Sequence, residues 1–550
     1  MRPKVKVVNK EPGRIKSYIL SLGVTLLIAL AYYYFALPAI NLQNTKFYGF
    51  FLFLSVVYCV VYLIINKSIK VGMGYMDIWR NLKSACAAPV IICVLLIALF
   101  IVGGLMSSVF FRSRSYKELL SVTPGDFVSG VEETSFDQIP MLDKASAQRL
   151  GDRKLGELSD MVSQFEVSND YPQMNYRGKP VRVATLLYGD FFKWWNNFRT
   201  GLPGYIVTDM VTQNVEVVRL PEGIKYSKSD KFFRNIDRYL RFSYPGYMFE
   251  MPHMEIDESG VPYWICPRIV KTIGLFGGTD INGAVLINAV TGETVYYRSD
   301  EVPVWVDQIY SAALIIEQYD YYGTYQNGFF NSLFGQKGVT VTTDGYNYIA
   351  QNDDVYMYTG ITSVGGDESN IGFILSNQRT KETHYYPCAG AEEYSAMSSA
   401  EGVVQHLNYI STFPLLLNIS KQPTYFMSLK DNAGLVKMYA MVNVQQYNIV
   451  ATGNTVAECR SEYTKLLVQN SIASDGDGII DTVSGLIEDI RVAVIDGNSY
   501  YYFKLSGKDA YYSISAAENS AVVILDVGDR VTFEFENSAE EVGIYPASLK

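Results

Sequence analysis

Gly283-Ala-Val-Leu-Ile-Asn-Ala-Val-Thr-Gly-Glu-Thr-Val-Tyr-Tyr297 aligns without a gap onto Gly372-Phe-Ile-Leu-Ser-Asn-Gln-Arg-Thr-Lys-Glu-Thr-His-Tyr-Tyr386. The two stretches share the glycine, the leucine, the asparagine, both threonines, the glutamate and the closing tyrosine pair. A fainter copy is Gly204-Tyr-Ile-Val-Thr-Asp-Met-Val-Thr-Gln-Asn-Val-Glu-Val-Val218. Each copy is an apolar run broken by Asn or Asp and resumed after a short polar stretch, which predicts strand, turn, strand. The shared Thr and Glu flank the turn, and shaping a hairpin accounts for them more simply than a repeated ligand site does.

Working outward, hairpins precede the later copies. Residues 248–269 turn at Asp257-Glu258-Ser259-Gly260, and residues 339–363 turn near Asn352-Asp353-Asp354. Residues 424–450, turning at Asp431-Asn432-Ala433-Gly434, suggest a fourth unit. Helices are expected between them at 229–242, 303–318, 391–407 and 455–470, the last opened by the capping box Thr455-Val-Ala-Glu458. Residues 176–470 therefore read as tandem α+β modules, antiparallel meanders each carrying a helix.

The stretch Ala-Val-Leu-Ile-Asn-Ala-Val-Thr-Gly-Glu-Thr-Val-Tyr, paired with a short helix, resembles the strand motif of PepSY-type domains. The copy at 372–386 departs from it, with Lys381 in place of the turn glycine. The resemblance implies an exported or membrane-anchored protein and a binding or regulatory module, some members being thought to modulate peptidases. It supplies no active-site residues.

Ahead of the modules lie three apolar runs, 18–40, 48–65 and 89–111. Each has roughly the 20 residues a helix needs to cross the hydrocarbon core. None contains Asp, Glu, Lys, Arg or His, so anchoring is favoured over conduction. Arg2, Lys4, Lys6, Lys10, Arg14 and Lys16 precede the first run, and Lys67, Lys70, Arg80 and Lys83 lie between the second and third. With three spans these ten charges share one side, against Lys46, Arg112, Arg114 and Lys117 on the other. The excess predicts a cytoplasmic N-terminus and a large extracytoplasmic C-terminal part. Residues 1–17 are then a basic cytoplasmic tail, 18–111 the membrane helices, and 112–175 a polar stalk with one helix over 142–158.

After the modules, residues 471–478, containing Ser474-Asp-Gly-Asp-Gly478, read as a linker. Residues 479–550 are dense in strands, expected at 483–495, 499–505, 510–515, 522–525 and 530–535. The stretch Leu525-Asp-Val-Gly-Asp-Arg-Val-Thr-Phe533 resembles the late strands of an OB-type barrel, which needs five strands. With five Lys/Arg against twelve Asp/Glu in this region, nucleic acid is disfavoured as its ligand.

Charge supports the same exclusion for the whole. Residues 1–111 hold eleven Lys/Arg and two acids, a net of +9; the chain carries −10, so the remaining 439 residues carry −19. No HExxH, GxSxG, GxxxxGK or GxGxxG occurs, and the chain has three histidines. One local cluster could hold a metal: His253, Glu255 and Asp257 alternate onto one face of a strand. The competing account is a solvated hairpin face with Met254 and Ile256 buried. Asp475, Asp477 and Asp481 could wrap Ca²⁺ but lack the closing bidentate Glu. The loop 276–283 and the tyrosines at 319, 321, 322 and 325 are further candidates, the latter for stacking on a glycan. Cys266 and Cys388 could bridge; small buried hydrophobes are the alternative.

The sequence thus predicts a non-enzymatic, membrane-anchored extracytoplasmic binding or scaffolding protein of the envelope. It needs no cofactor, and its partners are the lipid bilayer and a protein, with a glycan as a further ligand class. An envelope hydrolase or a glycan-binding protein are the alternatives.

Overall fold

The repeated asparagine builds one turn four times. In the side chains of Asp209, Asn288, Asn377 and Asn443, Oδ1 accepts from the N–H groups two and three residues on, all at 2.8–3.1 Å. This is the Asx turn, a side chain standing in for a backbone acceptor. The repeated threonine accepts in turn from the N–H two residues on, at Asn214, Glu293 and Glu382. Gln213, Gly292 and Lys381 take φ of +62°, +81° and +66°. Lys381 holds this conformation in the third copy, and its Nζ pairs with Asp280 Oδ1 at 2.7 Å. The repeated glycines 204, 283 and 372 lie at or beside slips in strand register. At each, a backbone carbonyl of the next strand fills the space a Cβ would take.

The computed structural model describes residues 12–65, 86–133, 139–351, 354–365, 369–472, 480–495, 498–508, 510–517, 519–536 and 544–549. Its large β-rich part contains four sheets with the same wiring. In sheet I the antiparallel run is Gln173–Tyr176, Lys179–Tyr188, Leu202–Asp209 and Val215–Ile224, with Phe165–Val167 also paired to the second strand. Sheet II repeats this with His253–Ile256, Pro262–Ile273, Gly277–Asn288 and Thr294–Arg298, plus Met248–Phe249. Sheet III uses Asn347–Gln351, Asp354–Ser363, Ser369–Asn377 and Thr383–Ala391, plus Thr340–Thr342. Sheet IV uses Leu415–Ile419, Gln422–Lys430, Val436–Asn443 and Val450–Gly453, plus Ile410–Ser411.

The residue after each Asx position joins neighbouring units. The N–H groups of Met210, Ala289, Gln378 and Val444 donate to the carbonyls of Pro180, Pro262, Val355 and Pro423 at 2.9–3.1 Å, stitching each hairpin. Their carbonyls accept from the incoming chain: Met141, Lys225 and Tyr226, Ile309 and Tyr310, and Ala391. Burial does the rest. Val183 and Ile206 of sheet I share a core with Trp264 and Val285 of sheet II. Ile265 and Leu286 meet Met357 and Ile374 of sheet III, and Phe373 meets Tyr425 and Met427 of sheet IV. Each such side chain contributes about 1.5–3 kcal/mol when fully buried.

Several sequence expectations need correction, among them the helix expected at 229–242, which begins only at Ile236. Residues 112–175 do not form a stalk. The described residues 112–133 and 139–175 run as a strap along the sheets, with Leu120, Phe127 and Ile139 buried in three different cores and Leu142 buried as well. Val122–Pro124 adds a parallel strand to sheet III, and helix Lys144–Gly156 lies on sheet I. Single apolar residues docking into separate gaps leave no periodic signal. The expected helix at 303–318 starts later, as Ala312–Thr324, because Ser311 caps it through Leu314 N. The expected strand at 522–525 is part of a short helical turn, Ser520–Ile524.

Three apolar helices stand at the N-terminal end: Pro12–Ala36, Thr45–Ile65 and Ala87–Met106. The first stops before Pro38, with Leu37 at φ +48°. The third stops at Met106 rather than at 111; Ser108 caps a separate helix, Val109–Lys117. The basic residues flanking the second loop, and most of those in the tail, lie outside the described residues. At the other end, Ile480–Ile495, Asn498–Leu505, Tyr511–Ser515, Arg530–Glu536 and Ile544–Leu549 close into a barrel around Phe503, Tyr512 and Phe533.

Candidate functional site

All four sheets and the strap contribute to one cavity of about 640 Å³. Sheet I supplies Gln173 and Arg182, sheet II His253, sheet III Asn347 and Tyr348, and sheet IV Phe426 and Ser428. Asp143, Lys144 and Gln148 come from the strap and its helix. The size suits a small organic ligand.

Arg182 lies between Val181 and Val183 in the strand Lys179–Tyr188 and is 6% exposed. Its Nη1 donates to Tyr171 O at 2.8 Å and its Nη2 to Gln173 Oε1 at 3.4 Å. Its Nε has no partner, nor does the Nε2 of Gln173, itself 1% exposed. Burial pulls the guanidinium down to about 10, an effect that the Tyr348 hydroxyl and then Asp143 partly oppose. No carboxylate pairs with it among the described residues. The acids nearby are already engaged: Asp143 with Lys430 Nζ at 2.6 Å and Asp170 with Lys228 Nζ at 3.0 Å. Burial disfavours the Asp143 carboxylate, but Lys430 and the Ser146 N–H outweigh it and hold its pKa below the usual value. Arg182 is thus a buried cation without a carboxylate partner, and it and Gln173, both lining the cavity, each leave one buried donor unsatisfied.

The residues proposed for a metal divide. His253 Nε2 and Glu255 Oε1 lie 2.9 Å apart. Glu255 also accepts from Asp307 N at 2.8 Å and Gln308 N at 3.1 Å, so its oxygens are occupied. Asp257 Oδ1 closes its own turn, accepting from Ser259 and Val261 N–H at 2.9 Å. Among the described residues no group of three His, Cys, Asp or Glu is placed to hold a metal. Of the hairpin-face account, Met254 and Ile256 are buried as expected, but Glu255 is fully buried rather than solvated, bonded to the N–H groups of Asp307 and Gln308.

The remaining candidates have structural roles. Residues 277–283, expected as a loop, open the strand Gly277–Asn288, and Phe276 just before it packs on Tyr48 and Phe100 of the apolar helices. Tyr319 is buried, while Tyr321 packs on Tyr116 and stacks on Tyr325. Cys266 and Cys388 are separate buried thiols; burial raises both, Cys388 to about 11. Asp475 and Asp477 lie outside the described residues. Sequence reasoning missed Arg182, although a lone arginine inside the run Val181–Leu187 was a usable signal.

No family model matches the chain, and no curated protein matches it. Among solved structures it is similar to a GH43 beta 1,3 galactosidase with galactodeoxynojirimycin, at 13% identity over 52% of this chain and 75% of that one, with a TM-score of 0.17. It is also similar to an exo-beta-1,3-galactanase from Clostridium thermocellum, at 11% identity over 70% of this chain and 76% of that one, with a TM-score of 0.20. Likeness at this level assigns neither fold nor chemistry to this chain.

Proposed function

We propose that this chain is a membrane-anchored extracytoplasmic binding protein whose cavity takes a ligand bearing a carboxylate. One observation carries the reading: the buried Arg182, without a carboxylate partner, beside the free Nε2 of Gln173. Guanidinium and amide N–H groups together match the lone pairs of a carboxylate, and a desolvated cation binds one more strongly than an exposed cation does. Tyr346, Tyr348 and Phe413 offer apolar walls for the rest of the ligand. The exterior position rests on the ten basic residues that flank the first two apolar runs.

The four sheets are read here as copies of one module, on the strength of their shared turn and wiring. The C-terminal barrel is read as OB-type, because its strands neighbour in the order first, second, third, fifth, fourth, with the third and fifth parallel.

The test is a thermal-shift titration of the detergent-solubilised full chain with citrate, galacturonate and N-acetylmuramate, each against its amide or uncharged analogue. At least one carboxylate should raise the melting temperature where its analogue does not, and Arg182→Met should abolish the shift. Equal shifts in the variant, or none with any of the three, would overturn the proposal. Protease added to intact cells should degrade the body; survival of the body would remove the exterior assignment.

A further inference from the structure

Two groups of exposed aromatic side chains lie on the β-rich body, each beside the point where an apolar helix ends. The first centres on helix Phe191–Asn197 and the turn Phe232–Arg234. Phe192 is 75% exposed, and Trp195 and Phe233 are each 57% exposed. They are not loose: Trp194 Nε1 donates to the buried Asp230 at 3.1 Å and Trp194 packs on Phe232 at 5.7 Å, so the helix is pinned with Phe192 and Trp195 outward. Phe233 packs on Tyr34, near the end of the first apolar helix, with ring centroids 5.9 Å apart. Arg238 lies over the same Tyr34 ring at 4.2 Å and donates to its carbonyl at 3.2 Å. Arg241 Nε donates to Leu37 O at 3.0 Å.

The second group is Phe330, 65% exposed, and Phe334, 82% exposed, around the turn Asn331–Gly335. Phe330 and its neighbour Phe329 pack on Phe110, at 6.0 and 5.2 Å. Phe110 follows the third apolar helix, which ends at Met106. Both groups are thus continuous with helix ends that must emerge at the membrane surface.

Phe and Trp held outward at that level match the interfacial layer, where an aromatic ring is more stable than in water and a Trp N–H still finds a partner. Lys231 flanks the first group and suits a lipid phosphate, while Lys193 there is paired with Asp190 at 3.5 Å. We infer that the body rests on the outer leaflet of the bilayer its own helices cross, inserting Phe192, Trp195 and Phe233 on one side and Phe330 and Phe334 on the other. The inference does not depend on the cavity or its ligand.

The test uses the full chain in phosphatidylcholine nanodiscs, with and without bromine in the upper acyl chains. Phe192→Trp and Phe334→Trp each add one fluorophore, read as the difference from the unsubstituted chain. Bromine should reduce the added emission about twofold or more, and acrylamide from the aqueous side should quench it little. Trp195→Phe should remove part of the bromine-sensitive emission of the unsubstituted chain, a check that needs no new bulky group. Added emission quenched by acrylamide and insensitive to bromine would overturn the inference. So would emission shielded from both, which would show a protein covering these surfaces instead.

Discussion

Arg182 and Glu393 show what a buried charge does at the level of one residue. Both are nearly inaccessible, at 6% and 0% exposure, but only Glu393 is satisfied: Thr343 Oγ1 and Gly360 N donate to its carboxylate, each at 3.0 Å. Burial raises its pKa from an ordinary 4.5 to about 7, those hydrogen bonds notwithstanding. The folded state therefore holds a proton that the unfolded state gives up. The associated stability is fully present below about pH 4.5 and is lost as pH rises through about 7. Glu393→Gln should flatten that fall, as measured by denaturant midpoints across the interval; an unchanged slope would show that Glu393 is ionised in the fold. Arg182 is the opposite case. Replacing an unpaired buried cation by a hydrocarbon of similar length should be neutral or stabilising, by up to about 4 kcal/mol. Arg182→Met should thus lose the ligand response and keep or raise the unliganded melting temperature. A lower melting temperature would mark Arg182 as a structural residue.

Among the elements, the hairpin of Gly283–Tyr297 is where sequence and structure agree most closely, since strand pairing joins Gly283 to Arg298 through Ile287 to Thr294. Its residues act locally: the Asx turn, the threonine and the left-handed position are all specified within a few residues of each other. Gly283→Ala and Gly372→Ala put a methyl group against a strand carbonyl. Each should cost about 1–3 kcal/mol in an equilibrium unfolding measurement. Helix starts were less legible. Ser311 and Asn235 cap their helices through Leu314 and Arg238 N–H, but nothing in their immediate sequence distinguishes them from other polar loop residues.

On the scale of the whole molecule, the apolar helices and the body are joined by specific contacts. Ser107 Oγ donates to Gly103 O at 2.6 Å and accepts from Leu275 and Phe276 N–H at 2.9 Å. Tyr116 OH donates to Ser107 O at 2.6 Å. Ser107→Val leaves two N–H groups without their acceptor, at a cost of about 1–3 kcal/mol each. Hydrogen exchange at 274–278 in detergent should rise sharply in that variant, while exchange in sheet IV stays the same. Unchanged exchange at 274–278 would show that Ser107 does not hold the loop.

The residue order alone determined that three apolar helices precede a large β-rich part, because helix length against membrane thickness and Asx-turn chemistry are local properties. It also placed His253 and Glu255 together, since they are two apart on one strand. Only the tertiary structure decided that the strap is buried, that Asp257 turns away, and that Arg182 faces a cavity. Gln173 and Arg182 face each other across one hairpin, but Tyr348 and Ser428 are far from them in the chain, and the meeting of all four depends on how the sheets pack. Packing is set by the summed burial of many side chains from distant segments, and no window of sequence contains that sum.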